Sequence, residues 1–311
     1  MAGVIVENIS KLYGKKKETI KALHGISFEV KHGELFGIIG PDGAGKTSLF
    51  RILTTLLLAD EGTATVDGLD VVKDYKQIRQ RVGYMPGRFS LYQDLSVKEN
   101  LDFFATIFNT TIEENYDLVK DIYSQIEPFK DRKAGKLSGG MKQKLALSCA
   151  LIHRPSVLFL DEPTTGVDAV SRKEFWEMLK KLKQQGITIL VSTPYMDEAS
   201  LCDRVGLMQT GKILSVNTPK GVVDAFGKKL VAVKSDNMLE LLNDLKQYEG
   251  IEDAYPFGEY HHAVMKTNDE TGLKNYLSRA GRKCELKATE PDIEDCFIAL
   301  MKPLTPEGEQ K

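Results

Sequence analysis

Leu35-Phe36-Gly37-Ile38-Ile39-Gly40-Pro41-Asp42-Gly43-Ala44-Gly45-Lys46-Thr47-Ser48 is the stretch on which the reading of this chain turns. A short apolar run, Leu35 to Ile39, passes straight into Gly40, and an apolar segment free of Gly and Pro, Thr47 to Leu58, follows. The pattern predicts a strand, a glycine loop and a helix whose first turn begins at the lysine. Gly40 to Thr47 fits G-x-x-x-x-G-K-[ST], in which glycines let successive backbone N–H groups curl around phosphates. Gly40, Asp42, Gly43, Ala44, Gly45, Lys46 and Thr47 are therefore the expected cradle for Mg·ATP. Lys46 should reach the β and γ phosphates, Ser48 can hydrogen-bond a phosphate oxygen, and the Thr47 hydroxyl is the expected Mg²⁺ ligand. The helix after the loop turns the positive end of its dipole toward the same phosphates.

Further along, Val157-Leu158-Phe159-Leu160-Asp161-Glu162 is an apolar run ending in two carboxylates. That places acidic groups at the C-terminal end of a strand, where open α/β sheets bind their ligands. Asp161 is expected to hold Mg²⁺ through water, and Glu162 to orient or deprotonate an attacking water as the catalytic residue. Helix Ser171 to Lys183, strand Ile187 to Ser192 and strand Val205 to Met208 continue an alternating β/α series, the pattern of a mostly parallel sheet.

Between these motifs, Leu137-Ser138-Gly139-Gly140-Met141 precedes the apolar helix Lys142 to Leu151, so Ser138, Gly139 and Gly140 form a second anion-binding helix start. One nucleotide does not need two such cradles in one chain. Two chains facing head to tail would use both, each covering the γ-phosphate held by the other's Lys46 loop.

Taken together these residues resemble the ATP-binding cassette family over about residues 4 to 220, with Leu137 to Met141 as the most specific element. The resemblance implies an α/β P-loop NTPase of the ABC nucleotide-binding type, with a helical subdomain over about residues 90 to 150. It also implies that Tyr13 stacks on adenine, that Gly166-Val167-Asp168 touches the opposing monomer, and that Tyr84-Met85-Pro86 introduces the segment facing membrane subunits. The wording GPDGAGKT, GYMP, SLYQDLSVKENL, LSGGMKQ and FLDEPTTGVD is similar to the ATPases of bacterial drug-export-type transporters. The implied partners are a second ABC ATPase subunit and separate transmembrane permease subunits. The implied location is the cytoplasmic, inner face of the cell membrane.

The chain departs from that family at two positions. A glutamine is expected directly after Tyr-Met-Pro, and Gly87 stands there; Gln93 lies in the next stretch, expected to be helical. A histidine is expected after Val191-Ser192-Thr193, and Pro194, with no polar side chain and no amide donor, stands there. The five histidines are His24, His32, His153, His261 and His262, so none lies between 154 and 260 to take over the role. Losing a group that stabilises the transition state costs about 10²-fold or more in rate, roughly 3 kcal/mol. ATP binding is expected to survive and hydrolysis at this site to be slow.

Beyond about residue 225 the order changes to strand, helix, strand, strand, helix, strand, then an amphipathic helix from Asp292 to Met301, the sign of a small α+β extension spanning 225–302. The polar 303–311 tail is expected to be disordered. The adjacent His261 and His262 point to opposite faces of a strand, which argues against a shared metal.

Bulk properties narrow the classes. A net charge of -2 over 311 residues disfavours a polyanion-binding surface, so no nucleic-acid partner is expected. The four cysteines Cys149, Cys202, Cys284 and Cys296 form no CxxC pair, which leaves neither a disulfide framework nor a zinc site indicated. The first residues lack the layout of a signal peptide, and no apolar run approaches the roughly 18 residues of a spanning helix. Three functional readings remain: an asymmetric exporter motor with a second, complete cassette; a homodimeric slow ATPase of an exporter; and a soluble cassette ATPase without a membrane partner.

Overall fold

The structure is a computed structural model and describes residues 2–14 and 19–301. The basic run at Lys15 to Lys17 and the tail 303–311 lie outside the described residues. The chain divides into two units, Met1–Pro219 and Lys220–Lys311.

The first unit begins with β1 (Ala2–Tyr13), β2 (Ile20–Lys31) and β3 (Leu35–Ile39), then α1 (Lys46–Leu53). Next come β4 (Glu61–Val66), β5 (Leu69–Asp70), α2 (Tyr75–Arg81) and β6 (Val82–Met85). A helical stretch follows, α3 (Val97–Ile107), α4 (Tyr116–Tyr123) and α5 (Gly139–Leu151). The chain then returns to the sheet with β7 (Val157–Asp161), α6 (Ala169–Gln184), β8 (Thr188–Thr193), β9 (Arg204–Gln209) and β10 (Lys212–Asn217).

These strands make two sheets, an antiparallel one ordered β2-β1-β4-β5 and a six-stranded one ordered β10-β9-β3-β8-β7-β6. In the second only β10 runs antiparallel to its neighbour. Every residue of β3, β7 and β8 is buried, which suits their near-continuous apolar runs to a sheet covered on both faces. Leu49, Phe50, Ile52 and Leu53 of α1 are buried in the core, and Phe50 meets Phe159 of β7 edge-on at 5.8 Å between ring centres.

Three local expectations are corrected. Helix α1 ends at Leu53 instead of Leu58, because Thr55 turns to φ +64° and the amides of Leu56 and Leu57 both fold back to the Arg51 carbonyl. The helical stretch starts at Val97, where Ser96 and Glu99 form a reciprocal capping box, and it breaks after Ile107 near Asn109 at φ +53°. Gln93 accordingly lies in a turn, its carbonyl accepting from the Gly135 amide at 2.9 Å.

In the second unit, entered through α7 (Pro219–Asp224), the order is β11 (Lys229–Ser235), α8 (Met238–Gln247), β12 (Ile251–Phe257) and β13 (Tyr260–Met265). α9 (Glu270–Arg279), β14 (Cys284–Thr289) and α10 (Ile293–Met301) complete it. The four strands form an antiparallel sheet ordered β12-β13-β11-β14, and Leu241, Leu245, Leu273 and Leu277 of α8 and α9 are buried with Val231, Val233 and Ala263 of the sheet. His261 and His262 project to opposite faces. His261 Nε2 lies 2.6 Å from the Met238 carbonyl on the α8 side, and His262 Nδ1 lies 2.6 Å from Asp295 Oδ1 on α10.

Candidate nucleotide site

Register brings the site together. Ile39 of β3 pairs with Thr193 of β8, Asp161 of β7 with Ser192 of β8, and Met85 of β6 with Leu160 of β7. The residues that follow these strand ends, Gly40, Pro194, Glu162 and Gly87, are therefore neighbours along one edge of the sheet.

The loop after β3 bounds a cavity of about 180 Å³ lined by Gly43, Ala44, Gly45, Lys46, Thr47, Ser48, Ala22 and Glu162. Gly45 has φ +106°, and a Cβ there would sit 2.7 Å from the Ala22 carbonyl oxygen, so a side chain is excluded on both counts. At Gly40 a Cβ would overlap the Met208 carbonyl oxygen on β9. Lys46 is only 3% exposed; its ammonium donates to the Gly40 and Pro41 carbonyls at 2.8 and 3.0 Å and pairs with Glu162 Oε1 at 3.1 Å. Tyr13 reaches the same helix start, its hydroxyl 3.1 Å from Ser48 Oγ. Asp42 is the exposed tip of the loop.

Ser192, to which the sequence assigned no role, organises both carboxylates. Its hydroxyl donates to Asp161 Oδ1 at 2.6 Å and accepts from the Glu162 amide at 3.1 Å, while the Ser192 carbonyl accepts from that amide at 3.0 Å. Glu162 sits at φ +50°, the left-handed region that a glutamate enters only when its surroundings hold it. The signal for Ser192 was its pairing partner on β7, which only strand register reveals.

Gly87 abuts Asp161: a Cβ at position 87 would stand 3.1 Å from the Asp161 carbonyl oxygen and 3.8 Å from Asp161 Oδ2. Nearby Tyr84 has its hydroxyl pushed up to about 12 by burial and by the Asp161 charge, so it stays protonated across physiological pH. Gln93 is held beside Gly135, its carbonyl accepting from the Gly135 amide.

The other cradle is built where α5 and α6 begin. Ser138 caps α5, its hydroxyl accepting from the Met141 amide at 3.3 Å, and Asp168 caps α6, accepting from the Val170 and Ser171 amides at 3.1 and 3.0 Å. The Ser171 bonds hold the Asp168 carboxyl below the usual carboxylate range. Gly139 and Gly140 lie in the first turn of α5, and a Cβ on Gly140 would come within 2.7 Å of Ser171 Oγ, so the two helix starts pack directly on each other.

No group of three or more His, Cys, Asp or Glu able to hold a metal ion occurs among the described residues. Mg²⁺ with nucleotide does not require one, since it keeps waters and takes one or two protein ligands besides phosphate oxygens. The hard-oxygen donors Thr47 and Asp161 fit that demand, with Asp161 Oδ1 fixed by Ser192.

Residues 23–165 match the sequence profile described as ABC transporter. The chain is 38% identical over 276 residues to a probable multidrug ABC transporter ATP-binding protein of Escherichia coli (strain K12), covering 86% of this chain and 47% of that protein. The chain thus spans about half the length of that relative. It is 33% identical over 315 residues to the linearmycin resistance ATP-binding protein of Bacillus subtilis (strain 168), covering 94% of this chain and 96% of that one. Among solved structures, the dimeric post-hydrolysis state of the ATP-binding cassette MJ0796 bound to ADP and Pi superimposes with a TM-score of 0.63 at 26% identity, over 69% of this chain and 98% of the other.

Proposed function

The chain belongs to the ABC transporter ATP-binding family, and on that premise we propose that it is the ATP-binding subunit of an export transporter, hydrolysing slowly at its own site. The observation that carries the reading is the pairing of a complete Ser138 to Gly140 helix start with a carboxylate edge bordered by Gly87 and Pro194. Lys46 and the amides of Gly43 to Ser48 bind and orient the triphosphate, and Tyr13 supplies an aromatic face for the base. Thr47 and Asp161 would hold Mg²⁺, which would neutralise charge on the phosphates. Glu162 takes a proton from the attacking water, but no carboxamide at 87 and no imidazole at 194 helps to place that water.

The partner is a second cassette subunit with a complete site, and the two dimerise head to tail. Ser138, Gly139, Gly140 and Asp168 of this chain then close over the partner's nucleotide. The names of the relatives, a probable multidrug ABC transporter ATP-binding protein, a linearmycin resistance ATP-binding protein and a Nod factor export ATP-binding protein, support an export role. Separate permease subunits supply the membrane span, in keeping with the ABC transporter relatives; no helix among the described residues is long and apolar enough to cross a membrane. A groove of about 550 Å³ lined by Arg51, Tyr84, Met85, Pro86, Phe104 and Phe108 is the surface offered to them on the cytoplasmic face. A homodimer of two slow sites is the second reading, favoured only if the chain purifies with itself alone. A cassette acting without a membrane partner is the third; recovery of the chain from cells without permease subunits would favour it.

Turnover by the purified chain tests the proposal. A rate well below about 1 s⁻¹, rising when a complete cassette subunit is added, is expected; a rate at or above it for the chain alone removes the case for a slow site.

A further inference from the structure

Glu198 lies in the turn after β8, outside every motif described above, and is 2% exposed. Its carboxylate is held from three sides. Oε1 accepts from the Thr164 hydroxyl at 2.8 Å and from Arg172 Nε at 3.1 Å, and Oε2 accepts from the Thr193 hydroxyl at 2.5 Å.

The three donors belong to three different parts of the site. Thr164 is on the loop leaving Glu162. Thr193 ends β8 beside Ser192, and its carbonyl accepts from the Gly40 amide at 3.2 Å, so it also touches the start of the phosphate loop. Arg172 is in the first turn of α6, where its amide bonds the Asp168 carbonyl at 2.9 Å. The guanidinium lies 4.3 Å from the Tyr195 ring centre and reaches Asp197 at 3.2 Å, which fixes it over the turn that carries Pro194.

We propose that Glu198 is a positioning residue that couples the Lys46 loop and the Asp161–Glu162 strand end to the Asp168 end of α6. Glu198 is placed to contact none of the phosphates; it acts through Thr193 and Arg172. A buried carboxylate with charge-assisted bonds is a stiff joint, and its removal strands a guanidinium and two hydroxyls without their partner. Position 194 offers no side-chain donor, so this strand end is joined to α6 through Thr193 and Glu198.

The inference rests on the nucleotide reading of the Lys46 loop, and amide hydrogen exchange of the full chain with and without Mg·ATP separates the two. In the parent chain, ATP is expected to slow exchange at 40–48 and also at 164–172. In Glu198→Ala the protection at 40–48 stays and that at 164–172 falls to less than a third of the parent value. Should that variant fail to fold, the same split is read in Glu198→Gln, which keeps the side-chain shape and one acceptor oxygen. Protection at 40–48 with none at 164–172 in the parent overturns the coupling. So does a variant that keeps both, or one that loses both together, which marks Glu198 as packing alone. No protection at 40–48 in the parent means the nucleotide reading itself fails, and the coupling with it.

Discussion

Lys46 Nζ stands 3.1 Å from Glu162 Oε1, so the lysine of the phosphate loop and the carboxylate at the end of β7 neutralise each other across the loop cavity. A nucleotide phosphate entering this space takes over Lys46 and meets the negative charge of Glu162.

Glu162→Gln removes that opposing charge while keeping the shape of the side chain. ATP affinity is expected to rise about three- to tenfold, roughly 1 kcal/mol for a partly exposed charge interaction, and hydrolysis to fall by about 10²-fold or more with the loss of the base. Titration with a fluorescent ATP analogue and a single-turnover assay check both. Weaker binding would show that Glu162 does not oppose the nucleotide. Lys46→Ala, by contrast, is expected to abolish measurable binding.

Gly87 and Pro194, the two positions to which the proposed slow hydrolysis is assigned, can be changed separately. Pro194→His should raise turnover about tenfold, a part of the roughly 10²-fold that such a group contributes. Gly87→Gln alone should give less, because a Cβ at 87 must displace the Asp161 carbonyl contact at 3.1 Å by a few tenths of an ångström. The double variant should exceed either. Steady-state phosphate release is the measurement, and a double variant no faster than the parent would locate the defect elsewhere.

Tyr13 meets Ser48 through its hydroxyl, and the proposed function assigns its ring to the base. If stacking is the main contribution, Tyr13→Phe keeps ATP affinity within about twofold and Tyr13→Ala loses about ten- to a hundredfold, the scale of 1–3 kcal/mol for a stacked base. Equal losses in the two variants would instead assign the effect to the hydroxyl. Calorimetric titration distinguishes them.

In the second unit, Asp292 caps α10 by accepting from the Asp295 amide at 3.0 Å. Its carboxyl is held above the usual range, first by burial and also by the adjacent Asp295 charge. The folded state therefore binds this proton more tightly than the unfolded chain. The stability this contributes is complete below the ordinary Asp value and is lost as pH rises through the raised folded value. Asp292→Asn, which keeps the capping oxygen, should raise the thermal midpoint at pH 7, with the gain shrinking to nothing as pH falls through that window. A gain that does not vary with pH would reject the charge explanation.

Much of the sheet was legible because parallel strands buried on both faces are written as unbroken apolar runs: Leu35 to Ile39, Val157 to Leu160 and Ile187 to Ser192 all fall on central strands. The helix limits were harder. Leu56 and Leu58 read as a continuation of α1, yet they are 57% and 65% exposed after the chain turns at Thr55, because apolar composition does not record φ. The apolar helix was expected from Lys142, yet α5 begins at Gly139 because the Ser138 cap outweighs glycine's poor helix propensity.

By itself the sequence determined the G-x-x-x-x-G-K-T stretch, the paired carboxylates after an apolar run and the Ser-Gly-Gly before α5, and it marked Gly87 and Pro194 as departures from the resembled pattern, because each depends on residue types at short fixed spacing. Tertiary structure alone decided that Ser192 holds Asp161 and Glu162, that Gly87 lies against Asp161, and that Glu198 joins Thr164, Thr193 and Arg172. These contacts span 31, 30, 74, 34, 5 and 26 residues; all but one join separate segments of the chain, and even Thr193 and Glu198 meet across a turn. Strand register and turn geometry, which no local pattern encodes, set them.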